Sequence, residues 1–263
     1  METNAKNDIP KLIFKYKPLS SGLDIVRCYD IIQSNRLFVP DVAQLNDPFE
    51  GFFCPRMEGV AGSGILRAAD EDPSILKELK KHTRVLALSS DCFSPQLWAY
   101  YCNDYSGVSF CFYTNRSFKG IEKVEYPGEL NRTNNSAECC NQSQIKEAFY
   151  KSLLMKEQGW QYEHEWRIIK KQPDDEYMSF EKDELAAIII GHKLDKEIKE
   201  FICASASHLS IFTTYPGVYT GKVHLIKYTE SLNIEKNGKK PDFIDSVEDL
   251  YNTCGHINVS FGG

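Results

Sequence analysis

Short apolar runs separated by polar turns constrain this chain more than any other feature. Val85-Leu86-Ala87-Leu88-Ser89, Val108-Ser109-Phe110-Cys111-Phe112-Tyr113, Ala187 to Ile190 and Val223-His224-Leu225-Ile226 all have strand length. Leu12-Ile13-Phe14-Lys15-Tyr16-Lys17 alternates apolar and polar residues, the period of a half-buried strand. Arg36 to Val39, ended by Pro40, and Glu165 to Ile169 read as further strands. Between them, helical spacing predicts helices over roughly residues 22 to 35 (Leu23, Ile25, Val26, Tyr29, Ile32), from Asp72-Pro73 to Lys81, over Gln96 to Cys102, over Gln144 to Lys156 and over Asp195 to Ser207. Strands and helices mix without regular βαβ alternation. The expected class is therefore α+β, a single compact domain of small mixed or antiparallel sheets flanked by helices. The expected limits are a flexible N-terminus over 1–11, the domain over 12–228 and a weakly patterned tail over 229–263. The polar stretch from Pro127 to Gln142 reads as an exposed loop.

Composition narrows the partners. A net charge of −6 argues against a general affinity for nucleic acid, which needs a basic surface. The residues from Met1 to Asp8 hold no apolar core of a secretory signal, and no apolar run is long enough to span a bilayer, so a cytoplasmic protein without membrane contact is expected. Nine cysteines include no Cys-x-x-Cys pair, and Cys139 and Cys140 are adjacent, a poor spacing for tetrahedral ligands. No metal site is assigned. Cys28, Cys92, Cys102, Cys111 and Cys203 sit among apolar residues and read as small core hydrophobes. A small molecule or a nucleotide is the favoured partner.

Three motifs could carry chemistry. Asn46-Asp47-Pro48-Phe49-Glu50 is strong turn chemistry: either a loop clamp with Phe49 in the core, or a turn that presents Asp47 or Glu50 to a cleft. Ser89-Ser90 is followed by Leu97-Trp98-Ala99-Tyr100-Tyr101, in which Trp98 and Tyr101 share a helix face. Core packing is the first reading for Trp98, with Tyr100 and Tyr101 open to a pocket role. In Tyr162-Glu163-His164-Glu165-Trp166-Arg167, an extended backbone would place Glu163, Glu165 and Arg167 on one face. Two such carboxylates repel, so one keeps a raised pKa unless Arg167 neutralises it. The plainer reading is a salt-bridged strand edge.

At these motifs the chain resembles the domain-of-unknown-function family 2971, widespread in bacteria, across about residues 12 to 205. The resemblance runs through Phe14-Lys15-Tyr16-Lys17, Leu45 to Glu50, Leu86 to Ser89, Leu97 to Tyr101, Gly107-Val108 and Tyr162 to Ile169. Family members commonly carry His where Tyr100 stands and often Arg where Lys17 stands. The family implies no activity. The order of motifs also resembles, more distantly, ADP-ribosyltransferase folds, which implies a split sheet holding NAD. On that likeness Glu165 is the catalytic carboxylate and Glu163 orients the acceptor, whether protein or nucleic acid. Tyr16 with Lys15 or Lys17 holds the dinucleotide, Ser89 supports the carboxylate, and Tyr100 or Tyr101 stacks. Asn46, Asp47, Glu50, Trp98 and Arg167 complete the NAD-binding set. Two other classes compete. One is a metal-dependent nuclease or hydrolase, with Asp47, Glu50, Glu163 and Glu165 as oxygen ligands of magnesium, although the late strand lacks Glu-x-Lys. The other is a non-catalytic binding or regulatory domain whose motifs brace the fold.

Overall fold

A computed structural model describes residues 9–47, 73–127, 142–237 and 241–255. The expectations for Pro48, Phe49, Glu50 and Asp72, and for most of the polar stretch after Pro127, lie outside the described residues.

The chain begins with β1 (Leu12–Lys17), α1 (Gly22–Ser34) and β2 (Arg36–Phe38), then α2 (Pro73–Lys81), β3 (Thr83–Ser89), α3 (Pro95–Tyr101), β4 (Val108–Tyr113) and β5 (Glu122–Lys123). It continues through α4 (Gln142–Ser152), β6 (Glu165–Lys171), β7 (Tyr177–Ser179), β8 (Leu185–Ile190), α5 (Lys196–Ser205), β9 (Ser210–Gly217), β10 (Lys222–Lys227), α6 (Tyr228–Asn237) and α7 (Val247–Gly255). One mixed sheet runs in the order β10-β9-β8-β4-β1-β3-β6-β5, and β2 pairs with β7 in a small second sheet. The α+β class read from the sequence is the observed one.

Hydrophobicity sets each strand's place. The side chains of β4 and β8 are buried along their whole length, so these near-continuous apolar runs lie at the sheet centre. In β1 the alternation divides the side chains: Leu12, Phe14 and Tyr16 join one core layer, and Ile13 joins the other. The Ile13 layer is covered by Cys28, Ile31 and Ile32 of α1 and by Ile202 of α5; the Phe14 layer is covered by Leu97 and Trp98 of α3 and Leu250 and Cys254 of α7. Helix α1 starts at Ser21, whose hydroxyl accepts from the Asp24 amide at 3.2 Å, and ends where Asn35 turns left-handed at φ 49°. Its inward stripe differs from the expected one. Leu23, Val26 and Tyr29 are exposed, because the face that meets the sheet is set by Cys28, Ile31 and Ile32.

Strand β9 and the last two helices escaped the sequence pattern, as did the short strands β5 and β7. Strand β9 pairs parallel with β8 across α5, although its Thr-Thr and Pro-Gly content hides it. Helices α6 and α7 occupy the polar stretch after Lys227, and Ile244 exchanges backbone hydrogen bonds with Leu225 at 3.0 and 2.8 Å.

The junction of β1 and β3 positions the site. Strand β1 pairs with β4 from Leu12↔Tyr113 to Lys17↔Val108, and β3 pairs with β6 from Thr83↔Lys171 to Ser89↔Glu165. Between β1 and β3, however, only Phe14 and Ser89 are paired. The sheet is thus nearly divided into two halves, joined further by side chains: the Lys15 amine donates to the Ala87 carbonyl and the Tyr16 hydroxyl to the Asp91 carbonyl, both at 2.8 Å.

Gly107 enters β4 where β1 ends, and a Cβ there would collide with the Lys17 carbonyl oxygen and the Cys102 Cα. Both obstacles are backbone and yield little, so Gly107→Ala is expected to lower unfolding free energy by about 1–3 kcal/mol in urea titration.

Candidate functional site

At the junction of the half-sheets lies a cavity of about 90 Å³. Phe14, Lys15 and Tyr16 of β1 and Ala87, Leu88 and Ser89 of β3 form its strand walls. Leu97 and Tyr101 of α3, together with Asn46, Lys156, Glu163 and Glu165, complete the lining. Helix α3 is placed by Ser94, whose hydroxyl accepts from the Leu97 amide at 3.4 Å, and by the Trp98 indole, which donates to the Cys92 carbonyl at 2.8 Å. That anchoring turns Trp98 into the core and leaves Tyr101, three residues on, at the cavity.

The two carboxylates arrive by a different route from the one expected. Glu163 does not belong to β6: it ends a 3-10 turn over Gln158–Glu163, and His164 then adopts a left-handed conformation at φ 44° before the strand begins at Glu165. The extended reading of residues 163–167 is corrected accordingly, yet the two acids still meet. The Lys156 amine bridges them, 2.6 Å from one Glu163 oxygen and 3.3 Å from Glu165. Lys156 is fixed by the pairing of residue 125 with Met155 and by its amide, which donates to the Glu125 carbonyl at 3.0 Å. Arg167 grips Glu165 with two parallel bonds of 2.8 and 2.9 Å and donates to the Leu153 carbonyl at 2.7 Å. On the other side the Tyr101 hydroxyl donates to Glu163, and the Asn46 amide donates to Tyr101. The Ser89 hydroxyl donates to the Glu163 main-chain carbonyl at 2.6 Å, so it supports that carboxylate through the backbone.

Four charged side chains are therefore buried together: Lys156, Glu163, Glu165 and Arg167 are each at most 5 % exposed. Such burial is tolerable only because every charge faces an opposite one. The pairing is uneven, and so is its effect. Burial pushes Glu163 above the ordinary carboxylate range, against the pull of Lys156 and aided by the charge on Glu165. Burial acts on Glu165 too, but Arg167 and Lys156 outweigh it and hold that carboxyl below its ordinary range. Glu163 is the acid whose proton can change, and Glu165 is the fixed anion. Lys15 is the third unusual group: burial, helped by the Lys17 charge, lowers its amine to about 7.

The other expected site residues fall as follows. Tyr16 lines the cavity, but its hydroxyl is engaged by Asp91 and its ring packs edge-on to Trp98 at 5.3 Å. Lys17 lies beyond the lining, partly buried near Arg27, with its amine lowered to about 8 by burial. Asp47 is buried next to Asn46 without lining the cavity, and Glu50 is outside the described residues. Tyr100 is 71 % exposed and points away toward Tyr162, so Tyr101 is the tyrosine at the cavity. Arg167 stands behind Glu165 and is fully buried. Lys156 is the residue that sequence reasoning missed. It follows a helix as one of several lysines in a polar stretch, and only the chain path reveals its position between the two acids.

For the magnesium reading, the oxygens of Glu163 and Glu165 already face the Lys156 amine and the Arg167 guanidinium, where a divalent ion would sit. Among the described residues no group of three or more His, Cys, Asp or Glu side chains is arranged to hold a metal. Among them, too, no helix is long and apolar enough to cross a membrane.

Comparison with curated proteins and with solved structures gave no match. The family resemblance read from the motifs is found over a narrower span than 12–205, and that span contributes Tyr101, Lys156, Glu163, Glu165 and Arg167 to the site. Residues 97–168 match the family described as Protein of unknown function (DUF2971).

Proposed function

We propose that the cavity is the reaction centre of an NAD-cleaving enzyme of the ADP-ribosyltransferase or NAD-glycohydrolase type, in which Glu163, rather than Glu165, meets the ribose. The observation that carries this reading is the convergence of Tyr101, Lys156, Glu163 and Glu165 on one cavity where the sheet divides. Cleavage of the nicotinamide–ribose bond has an oxocarbenium-like transition state, as glycoside hydrolysis does. An anion fixed beside the anomeric carbon stabilises that cation, most strongly where water is excluded. Glu165 is poorly suited to the task, since its charge is neutralised by a bidentate Arg167 and by Lys156 together, whereas Glu163 faces a neutral hydroxyl and a shared amine. Glu163 is oriented by Tyr101 and Lys156 and lines the same wall. The electron pair of the breaking bond passes to the ring nitrogen and nicotinamide leaves neutral. Water or an acceptor hydroxyl then adds to the anomeric carbon and yields its proton to Glu163. The cavity takes the nicotinamide ring, with the phosphates of the dinucleotide outside it.

The test is nicotinamide release from NAD, followed by chromatography. Glu163→Gln is expected to slow it about a hundredfold. Because activity needs the ionised carboxylate, it falls as pH drops through the raised pKa of Glu163, so the acid limb lies above the ordinary carboxylate range. A protein that releases no nicotinamide and gains no thermal stability in saturating NAD overturns the reading.

A further inference from the structure

Lys15 takes no part in the bond cleavage above, yet it lines the same cavity. Among the described residues its amine makes one hydrogen bond, 2.8 Å to the neutral Ala87 carbonyl. Unlike Lys156, it has no carboxylate within ion-pair distance among the described residues. Phe14, Leu88 and Leu97 supply apolar wall of the same cavity, and Glu163 supplies a carboxyl group whose raised pKa suits it to exchange a proton. The residue is half-buried, and it is reached through the cavity it lines. We propose that Lys15 is a nucleophilic amine that condenses with a small aldehyde or ketone entering the cavity and holds it as an imine.

The step balances within these groups. In its protonated form Glu163 gives its proton to the carbonyl oxygen as the Nζ lone pair adds to the carbonyl carbon and the π electrons pass to oxygen, and it then takes a proton from the positively charged nitrogen, leaving a neutral carbinolamine. Glu163 gives that proton to the carbinolamine oxygen, which leaves as water as the nitrogen lone pair forms the carbon–nitrogen double bond, and the resulting carboxylate takes the last nitrogen proton. Nothing is oxidised or reduced. The lone pair is available near neutral pH because burial and the charges of Lys17 and Arg27 lower the amine to about 7, against the opposing pull of Glu165. The proposal does not rest on NAD cleavage. A free small aldehyde and the open-chain form of ADP-ribose share the chemistry that would be recognised.

The experiment is reductive trapping on the full chain. The protein is incubated at pH 7 with limiting glycolaldehyde, or separately with ADP-ribose, in the presence of cyanoborohydride, and the labelled lysines are located by peptide mass spectrometry. Lys15 is expected to be labelled at least about tenfold faster than the exposed Lys11, Lys196 and Lys222, with the advantage fading by pH 10 as those amines lose their protons. Labelling by glycolaldehyde alone identifies a small carbonyl compound as the guest; labelling by both identifies the ribosyl aldehyde as well. Lys15→Arg keeps a donor for the Ala87 carbonyl but carries no nucleophilic amine, and it is expected to remove the fast-labelled site while the exposed lysines are labelled as in the parent. Labelling of Lys15 no faster than that of the exposed lysines, or a fast site that persists in Lys15→Arg, overturns the proposal.

Discussion

Arg167→Met is expected to lower the unfolding free energy by about 3–5 kcal/mol, measured by urea titration at pH 7. The size follows from what is left behind. Among the described residues Glu165 then keeps only the Lys156 amine at 3.3 Å, which it must share with Glu163, and a buried carboxylate loses both of its short bonds. The Leu153 carbonyl also loses a donor. The double variant Glu165→Gln/Arg167→Met should recover much of the loss, since removing both charges is far less damaging than removing one. A single variant within about 0.5 kcal/mol of the parent would show that the pair is not closed in solution. The pH dependence gives an independent check. In the parent, Glu165 has a depressed pKa, so its stabilising contribution is present above the ordinary carboxylate range and is lost as pH falls through the lowered value. Without Arg167 that acid-sensitive part of the stability curve should flatten.

Lys156→Met should be of similar size, about 3–5 kcal/mol at pH 8, but with the opposite response to acid. Lys156 is the one cation within ion-pair distance of Glu163 among the described residues, and in its absence Glu163 keeps the Tyr101 hydroxyl as its partner. The carboxyl is already raised by burial, and loss of the amine raises it further. A group whose folded pKa exceeds its unfolded value binds its proton more tightly in the folded state, so the penalty grows as pH rises through the folded pKa. The deficit of Lys156→Met should therefore be larger at pH 8 than at pH 5, as measured by denaturant titrations at the two values. A deficit that is equal at both would mean that Glu163 does not depend on Lys156 for its charge.

The sequence was informative where periodicity is strong and local. Val85 to Ser89, Val108 to Tyr113 and Ala187 to Ile190 are strands because they are buried on both faces and read as apolar runs. Strand β9 was hidden because Thr213, Thr214 and Pro216 dilute that signal, and its place is fixed by pairing with β8 rather than by its own pattern. At the site, residue types were a good guide and backbone path was not. A period of two applied to Glu163, His164 and Glu165 assumes an extended chain. The left-handed His164 breaks that assumption, and nothing in its neighbours signals the break. Lys156 was illegible for a related reason, since a lysine on a polar stretch declares its partner only when the chain is folded. Trp98 shows the converse: a lone indole in an aromatic helix reads as core, and it is buried with its nitrogen bonded to Cys92.

The near-division of the sheet has a mechanical meaning. Each half is a fully laddered slab, whereas the crease between them is spanned by the Phe14–Ser89 pair and the tethers from Lys15 and Tyr16. Backbone cross-links are sparsest along this line, and side-chain packing such as Ile13 against Leu86 and Leu88 in one core layer carries the cohesion of the two halves there. The acidic pair stands on one side of this seam and the Lys15 amine on the other, so the site is assembled from two ladders rather than from one.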